Sequence, residues 1–398
     1  MTTRQLPLDG LKVVELGQLI AGPFATKLLG EFGADVIKVE PPGAGDPLRK
    51  WRILEEGTSL WWHVQSRTKR SVTLDLRSQE GQDVVRRLAA EADVVVENFR
   101  PGTLENWGLG YEALAAINPK LIMVHVSGFG QTGPYRNKPG FGVIGEAMGG
   151  LRYLTGHAGE PSVRVGVSIG DSLSALYAVI GTLLALQERQ RSGLGQEIDV
   201  ALYESVFAMM ESLLPEFDAT GHVREPSGSA LPGITPSNAY RTREGEYVLI
   251  AGNGDSIFKR LMGVIGREDL ANHPAMAHND GRSQHASEID AAIEAWTQTR
   301  YRDDILSALD DARVPAGYPY TAADIANDPH YLAREMIQTV TRADGRPLKV
   351  PGVLPKLSAT PGRLGQGGPQ LGAHTDDVLE ELGIDAATRD KLRQAGII

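Results

Sequence analysis

The sequence predicts an α/β protein whose main part is a Rossmann-like sheet, open and mostly parallel, with a smaller α+β domain after it. Three observations support this fold class. A β-α-β pattern opens the chain over residues 11–40, the alternation of β-rich and helical runs continues to residue 130, and a long apolar helix is expected at 172–190. Such alternation is typical of a parallel sheet that helices cover on both faces.

The elements of this sheet follow from hydrophobic patterning and from the residues that end each run. The opening run LKVVEL is short and rich in β-branched residues, the helical run after it ends at a glycine, and DVIKVE forms the next strand. By the same criteria, strands are expected at 11–16, 35–40, 71–76, 93–99 and 121–130, and helices at 21–33, 78–92, 111–116 and 172–190.

The domain organisation is inferred from a change in composition after the long helix. The stretch 218–236 is rich in glycine, proline and serine, which is typical of a linker or an exposed loop. A β-hairpin that turns at Glu244 and Gly245 is expected next, followed by helical segments. The predicted division is a large domain at 1–200, a linker at 201–225, a small domain at 226–325 and a C-terminal part at 326–398.

Composition and charge argue against several classes of function. The formal net charge is −10, so no nucleic-acid partner is expected, and an anionic ligand would require a local basic pocket. The chain has no cysteine, which excludes disulfides and thiolate chemistry. Its nine histidines show no metal-binding spacing, and no metal is expected.

Two further features bear on location. The opening residues MTTRQLPLDG contain no apolar signal core, and the most apolar run, Leu173 to Leu186, is shorter than the roughly 20 residues that cross a bilayer. We therefore expect a cytoplasmic protein with no membrane partner.

The first β-α turn raises the question of a dinucleotide. It reads ELGQLIAGPFA, and the spacing of Gly17 and Gly22 does not match the Gly-x-Gly-x-x-Gly pattern of a dinucleotide fold. Glu40 does end the second strand, where a nicotinamide-dependent enzyme keeps a ribose-binding acid. This half match is equally explained by turn chemistry and a strand-terminal charge.

A single acid, Asp171, stands out in the stretch RVGVSIGDSLSALYA at 164–178. It lies between a run punctuated by Gly166 and Gly170 and the start of the long helix. Taken alone, the stretch allows two interpretations. Asp171 is either an ordinary helix cap, which stabilises a helix by about 1 kcal/mol, or a reactive carboxylate that the helix N-terminus keeps ionised.

Several blocks in a fixed order resemble one family. They include LDGLKVVELGQLIAGPFATKLLGEFGADVIKVEPPGAGDPLR, KRSVTLDLRSQEG, ADVVVENFRPGTLENWGLG, GVSIGDSLSALYAVIGTLLALQERQRSGLGQEIDVALYES, VPAGYPYTAADIANDP and LGAHTDDVLEELG. Together they span nearly the whole chain, and they resemble the family III CoA-transferases, also called CaiB/BaiF, which include formyl-CoA transferase and carnitine CoA-transferase.

The resemblance implies a role for Asp171 and a CoA site. It implies that the Asp171 carboxylate attacks an acyl-CoA thioester and forms first a mixed anhydride and then an aspartyl-CoA thioester. A carboxylate nucleophile suits this exchange because donor and acceptor are carboxylates too. CoA, as substrate, is expected to be held by Ile20, Ala21, Leu74, Arg77, Asn98, Phe99 and Arg100, with Lys38, Arg77 and Arg100 offsetting its phosphates.

The chain also departs from parts of the family. The formyl-CoA branch has arginines at the positions of Pro41 and Asn106 and a run of four glycines over its active site, and this chain has none of them. The expected donor is therefore succinyl-CoA or a related dicarboxylic acyl-CoA. One alternative is an α-methylacyl-CoA racemase, although Gly140-Phe141-Gly142 stands where racemases carry Gly-His-Asp. A non-catalytic acyl-CoA-binding protein is the other.

The resemblance finally implies an architecture. Family members form intertwined, ring-like homodimers in which the N-terminal and C-terminal parts of each chain form one large domain. Residues 326–398 are thus expected to return to the large domain, and threading through the partner is expected near 200–230 and 320–335.

Overall fold

The structure, a computed structural model, describes residues 5–398. The strands are β1 (Lys12–Glu15), β2 (Asp35–Glu40), β3 (Leu54–Glu55), β4 (Thr58–Ser59), β5 (Lys69–Thr73), β6 (Val94–Glu97), β7 (Ile122–Ser127), β8 (Glu197–Ala201), β9 (Ser237–Arg241), β10 (Tyr247–Ala251), β11 (Ala316–Gly317), β12 (Ile337–Thr341) and β13 (Pro347–Pro351).

The helices are α1 (Ala21–Glu31), α2 (Leu60–Gln65), α3 (Gln79–Glu91), α4 (Thr103–Asn106), α5 (Tyr111–Ile117), α6 (Gly142–Met148), α7 (Leu151–Leu154), α8 (Ile169–Ser192), α9 (Leu202–Phe207), α10 (Leu213–Thr220), α11 (Asp255–Val264), α12 (Glu268–Ala271), α13 (Asn279–Gln284), α14 (Ala286–Thr297), α15 (Arg302–Asp311), α16 (Ala322–Asn327), α17 (Pro329–Ala333), α18 (Thr375–Glu381) and α19 (Ala386–Gln394). Two short 3₁₀ helices span Pro47–Lys50 and Pro274–Met276.

The main sheet has six strands in the order β5-β2-β1-β6-β7-β8. Every pairing within it is parallel, which confirms the predicted α/β class. The direction in which strands are added reverses between β1 and β6. In open sheets of this kind, ligands bind in the crevice at the carboxyl ends of the strands beside such a reversal.

The two faces of the sheet carry separate hydrophobic cores. Successive strand residues point to opposite faces, so Val13 and Val94 pack with α1 and α8, whereas Val14 and Val95 pack with α3, α5 and α18. Both cores consist largely of valine, leucine and alanine with almost no exposed surface. Helices on both faces therefore leave the strand ends as the place where a ligand can enter.

The chain divides into two compact units. The first contains the main sheet and comprises residues up to Arg152, Arg164–His222 and His330–Ile398. The second comprises Tyr153–Val163 and Val223–Pro329. In the second unit an antiparallel sheet, ordered β11-β10-β9, shares one core with α11, α14 and α15.

Three local features differ from the sequence expectations. The segment 201–225, predicted as a linker, contains α9 and α10. Strand β5 ends at Thr73, so the predicted strand at 71–76 starts earlier and stops sooner. Helix α8 begins at Ile169 with Ser168 as its N-cap, so Asp171 is the third residue of the helix and the expectation that it caps the helix is wrong.

Helix α8 is longer than the apolar run Leu173 to Leu186, whose shortness led us to expect no membrane span. With 24 residues it is long and apolar enough to cross a bilayer by length and composition alone. Its alanines at 175, 178 and 185 are nevertheless buried in the core that lies under the main sheet. The core helix of a soluble protein passes the same test of length and composition, so that test is weak evidence for a membrane span.

Candidate functional site

A cavity of about 320 Å³ opens at the reversal point of the main sheet. The β1-α1 turn, the residues after β6, the residues after β7 and the start of α8 all contribute to its wall. Of the residues expected to act at the site, six line it: Ile20, Ala21, Asn98, Phe99, Arg100 and Asp171. Three loops that are far apart in sequence therefore meet at one place, because parallel strands present their carboxyl ends at the same edge.

The β1-α1 turn is held rigidly against the residue that follows β6. The side-chain amide of Asn98 donates to the carbonyl oxygen of Gln18 and accepts from its N–H, both at 2.8 Å. A β-carbon on Gly17 would lie 3.0 Å from the same amide, so glycine allows this close approach. Asn98 thus shapes the cavity, and its amide is already engaged with the turn.

Beneath this turn lies a cluster of buried, paired charges. The Lys38 ammonium lies 2.6 Å from Glu15 and 2.8 Å from Asp46, and Lys69 lies 2.7 Å from the other oxygen of Glu15. Burial by itself raises the pKa of Glu15, but the charges of Lys38 and Lys69 outweigh it and lower that pKa to about 2. The cluster holds the turn in place, because Lys38 also donates to Gly17 and Asp46 accepts from Leu19.

This cluster corrects one expectation. Lys38 is only 1% exposed, and both of its carboxylate partners are equally buried. Its charge is therefore already neutralised and cannot offset a CoA phosphate, as the sequence suggested. The reason is tertiary: Glu15 and Asp46 come from neighbouring elements, and a lysine buried without such partners would be strongly unfavourable.

A second cavity, of about 680 Å³, lies beside the first and shares Gln18 and Phe99 with it. Leu74 and Arg77, also expected to act at the site, line this second cavity together with Pro41 and Trp107. Arg77 is exposed, whereas Leu74 is buried. The expected site residues therefore lie along two adjoining cavities, an arrangement that suits an elongated ligand.

Sequence reasoning missed two cations in the loop after β7. Arg136 and Lys138 line the first cavity, and Lys138 lies 3.5 Å from the centre of the Tyr135 ring. Together with Arg100 they make this cavity a local basic pocket in an acidic protein, as an anionic ligand requires. The missed signal was a pair of cations in the glycine-rich and proline-rich loop QTGPYRNKPG.

Asp171 lies against the first residue of α6. A β-carbon at Gly142 would come within about 2 Å of the Asp171 carboxylate, so the site depends on glycine there. Burial, and next the charge of Glu146, raise the pKa of Asp171 to about 6, while the charge of Arg164 opposes them. Burial and the second carboxylate thus oppose the ionised form of Asp171, which the helix N-terminus was expected to favour.

Glu146 lies one helical turn after Gly142 on α6 and is almost fully buried. One of its carboxylate oxygens has no hydrogen-bond partner, and the other lies 3.4 Å from Nε of Arg164. A crowded pair of carboxylates thus stands at the start of α8 with a single arginine beside it. Within residues 5–398 no group of three or more potential metal ligands is found.

A family model described as CoA-transferase family III matches residues 8–375. Succinyl-CoA--D-citramalate CoA-transferase of Chloroflexus aurantiacus is 52% identical over 377 residues, which are 94% of each chain. The beta subunit of succinyl-CoA--L-malate CoA-transferase from the same organism is 43% identical and is covered to 95% by 96% of this chain.

Among solved structures, a CAIB/BAIF family protein from Brucella suis superposes with a TM-score of 0.83 at 38% identity. The match covers 95% of this chain and all of the other. The sequence and the fold are thus both similar to those of the CAIB/BAIF proteins, the family III CoA-transferases.

Proposed function

The chain belongs to CoA-transferase family III, and on that premise we propose that it moves CoA from succinyl-CoA to a hydroxylated dicarboxylic acid of the citramalate or malate type. As a family member it is an enzyme of the CoA-transferase class. The choice of donor and acceptor is supported by the names of its relatives. The observation that supports the site is the Asp171 carboxylate in the wall of a basic cavity at the carboxyl edge of the sheet.

In the proposed mechanism, an oxygen of the ionised Asp171 attacks the thioester carbonyl of succinyl-CoA. The carbon–sulfur bond breaks, which gives a mixed anhydride and the CoA thiolate. The thiolate then attacks the carbonyl carbon of the Asp171 side chain and releases succinate, leaving an aspartyl-CoA thioester. Because every acid involved reacts as a carboxylate, no proton has to be supplied at these steps.

The second half repeats these steps in reverse with the acceptor. The acceptor carboxylate attacks the aspartyl-CoA thioester and expels the thiolate, which then attacks the acceptor carbonyl of the new anhydride. The products are the acceptor-CoA thioester and free Asp171. Intermediates and reactants are similar in chemical type, so neither half requires an external energy source.

The proposed position of CoA follows from the two adjoining cavities. Arg100, Arg136 and Lys138 would neutralise phosphate charge in the first cavity, and Arg77 would do so in the second. Ile20, Ala21 and Phe99 offer apolar contacts to the rest of the cofactor. Lys38 has no part in this binding because it is already paired.

We also propose that the protein is a homodimer, as its resemblance to the family implies. Helix α8 carries large apolar side chains that remain about half exposed in the single chain, namely Leu176, Ile180, Leu183 and Leu184. They recur at helical spacing, and an apolar surface of this kind usually marks an interface. Light scattering after size-exclusion chromatography is expected to give twice the mass of the chain.

The proposed function is tested by incubating the purified protein with succinyl-CoA and a panel of carboxylic acids. Formation of a new CoA thioester is followed by chromatography and mass spectrometry. We expect citramalyl-CoA or malyl-CoA and an equal amount of succinate. If no acceptor forms a thioester, and deuterium from the solvent instead enters the α-carbon of a 2-methylacyl-CoA, the racemase takes the place of the transferase. If CoA thioesters bind but no bond changes, the protein only binds acyl-CoA.

A further inference from the structure

Arg164, near the proposed nucleophile Asp171, has one ion-pair partner among the described residues. Arg164 lies in the irregular segment that leads into α8, and its side chain is 45% exposed. Its Nε faces the buried Glu146 at 3.4 Å. Residues 5–398 provide no other hydrogen-bond partner for its guanidinium, so the two terminal nitrogens are available to a ligand.

We propose that Arg164 binds the second carboxylate of the dicarboxylic substrates and selects them over uncharged acyl groups. The inference rests on the proposed function and names the residue that would determine its substrate class. A guanidinium is planar, and its two terminal N–H groups match the two oxygens of a carboxylate. Arg164 would therefore bind the substrate carboxylate through its two terminal nitrogens, while its Nε stays paired with Glu146.

The placement of Arg164 suits the reach of a short dicarboxylic acid. The Asp171 carboxylate, on α8, lies against Gly142, and Glu146 follows one helical turn later on α6, so the two acids face each other across the contact between α6 and α8. Arg164 is close enough to act on the charge of Asp171 and touches Glu146 directly. A succinyl group bound at Asp171 carries its free carboxylate only two methylene groups beyond the reacting carbonyl.

Charge balance favours the same assignment. Asp171 and Glu146 already place two carboxylates near one arginine, so a third carboxylate would be repelled unless a cation faced it directly. The cations after β6 and β7 line the same cavity as Asp171, and the proposed function assigns them to the phosphates of CoA. Arg164, whose charge acts on Asp171, is then left to face the substrate carboxylate with its terminal nitrogens. Glu146 is then a positioning residue, because it orients the guanidinium and does not touch the substrate.

The test compares two donors that differ only in charge. Succinyl-CoA and butyryl-CoA have acyl chains of equal length, and only the first has a second carboxylate. We expect Arg164→Met to lower kcat/KM for succinyl-CoA by about 100-fold, since a charge-assisted bidentate contact is lost, and to leave butyryl-CoA within about twofold of wild type. For Arg164→Lys, kcat/KM for succinyl-CoA is expected to lie between the values of wild type and Arg164→Met, because lysine keeps the charge but cannot donate two parallel hydrogen bonds to a carboxylate.

The control variant and the pH isolate the effect on recognition. Arg191→Met removes a surface arginine at the far end of α8 and is expected to change neither donor. Rates are measured at about pH 8, well above the pKa of about 6 for Asp171, so that the nucleophile is ionised in every variant. Circular dichroism and the molar mass confirm that each variant is folded.

Two outcomes would overturn the inference. An equal loss for both donors would show that Arg164 acts on the nucleophile, and no loss for either would show that another residue binds the carboxylate. A wild-type protein that transfers CoA from neither donor would instead contradict the proposed function itself.

Discussion

Two clusters of charged side chains lie near the same cavity, one of them fully buried and the other partly exposed, and they are built in opposite ways. Under the β1-α1 turn, Glu15, Lys38, Asp46 and Lys69 form short ion pairs in which acids and bases alternate. At the start of α8, Asp171 and Glu146 are two acids beside one half-exposed arginine. The first cluster lowers the pKa of its central acid to about 2, whereas the second raises the pKa of Asp171 to about 6.

The difference distinguishes a cluster that stabilises the fold from one that is suited to a reaction. A buried ion pair whose partners are all present stabilises one conformation, and here it holds the turn that shapes the cavity. A partly buried acid whose pKa is raised by burial and by a second acid is a costly feature that stability alone does not explain, and such groups are concentrated at functional sites. We therefore assign the balanced cluster to shaping the site and the unbalanced one to the reaction.

The largest expected effect is on activity at the unbalanced cluster. Asp171→Asn keeps the size of the side chain and removes the proposed nucleophile, so transfer should fall by at least about 10³-fold. Asp83→Asn, on the exposed side of α3, serves as control and is expected to retain activity. A mutant at Asp171 that keeps more than a tenth of the wild-type rate would contradict the assignment.

The next effect is on stability at the balanced cluster. Lys38→Met leaves Asp46 and one oxygen of Glu15 buried without their cation, which should lower the free energy of unfolding by about 3–5 kcal/mol. The measurement is urea unfolding followed by tryptophan fluorescence. If the loss were under about 1 kcal/mol and the Michaelis constant for acyl-CoA rose instead, Lys38 would contact the ligand after all.

In urea unfolding, Asp171→Asn should raise the free energy of unfolding, whereas Lys38→Met lowers it. The folded-state pKa of Asp171 is about 6 against an ordinary 3.8, so the penalty on folding grows as the pH rises from 3.8 through 6 and is complete above 6. Near pH 7.5 the variant is expected to be more stable than wild type by on the order of 2 kcal/mol. The gain should vanish below about pH 3, where Asp171 is protonated in both the folded and the unfolded state.

The pH dependence of the reaction sharpens the contrast further. Because the nucleophile must be ionised, kcat/KM should fall as the pH drops through about 6, the pKa of Asp171. Glu146→Gln removes one cause of the raised pKa of Asp171, so the pH at which kcat/KM falls should drop by on the order of one unit. If that pH is the same in Glu146→Gln and wild type, burial alone sets the pKa of Asp171.

The smallest expected effect concerns the cations of the basic pocket. Lys138→Ala should raise the Michaelis constant for succinyl-CoA by about 5–10-fold and leave kcat nearly unchanged, since it removes one of the proposed contacts to phosphate. Lys120→Ala, at the amino edge of the sheet, is the matched control. A fall in kcat without a change in the Michaelis constant would place Lys138 with the reacting groups.

Much of the fold was accessible from the sequence because it depends on local patterns. Alternation between β-rich and helical runs predicted the parallel sheet, and the position of Asp171 after a glycine-punctuated run placed it near the start of α8. The resemblance to known blocks added the residues after β1 and β6, which do line the cavity. Their roles in binding stay predictions.

What the sequence could not show depends on contacts between distant segments. Lys38 looked like a free cation because Glu15 and Asp46 lie in other elements. The pKa of Asp171 is raised by burial in the folded chain and next by the charge of Glu146, 25 residues earlier in the chain. Arg136 and Lys138 belong to a loop without periodicity, and only the packing of that loop brings them to the cavity.

The covalent role of Asp171 is the central claim, and intact-protein mass spectrometry tests it most directly. Wild type and Asp171→Asn are incubated with succinyl-CoA, quenched with hydroxylamine, digested and mapped. The account predicts a hydroxamate at Asp171 in the wild type and none in the variant. Steady turnover without any trapped adduct, or an adduct at a different residue, would contradict it.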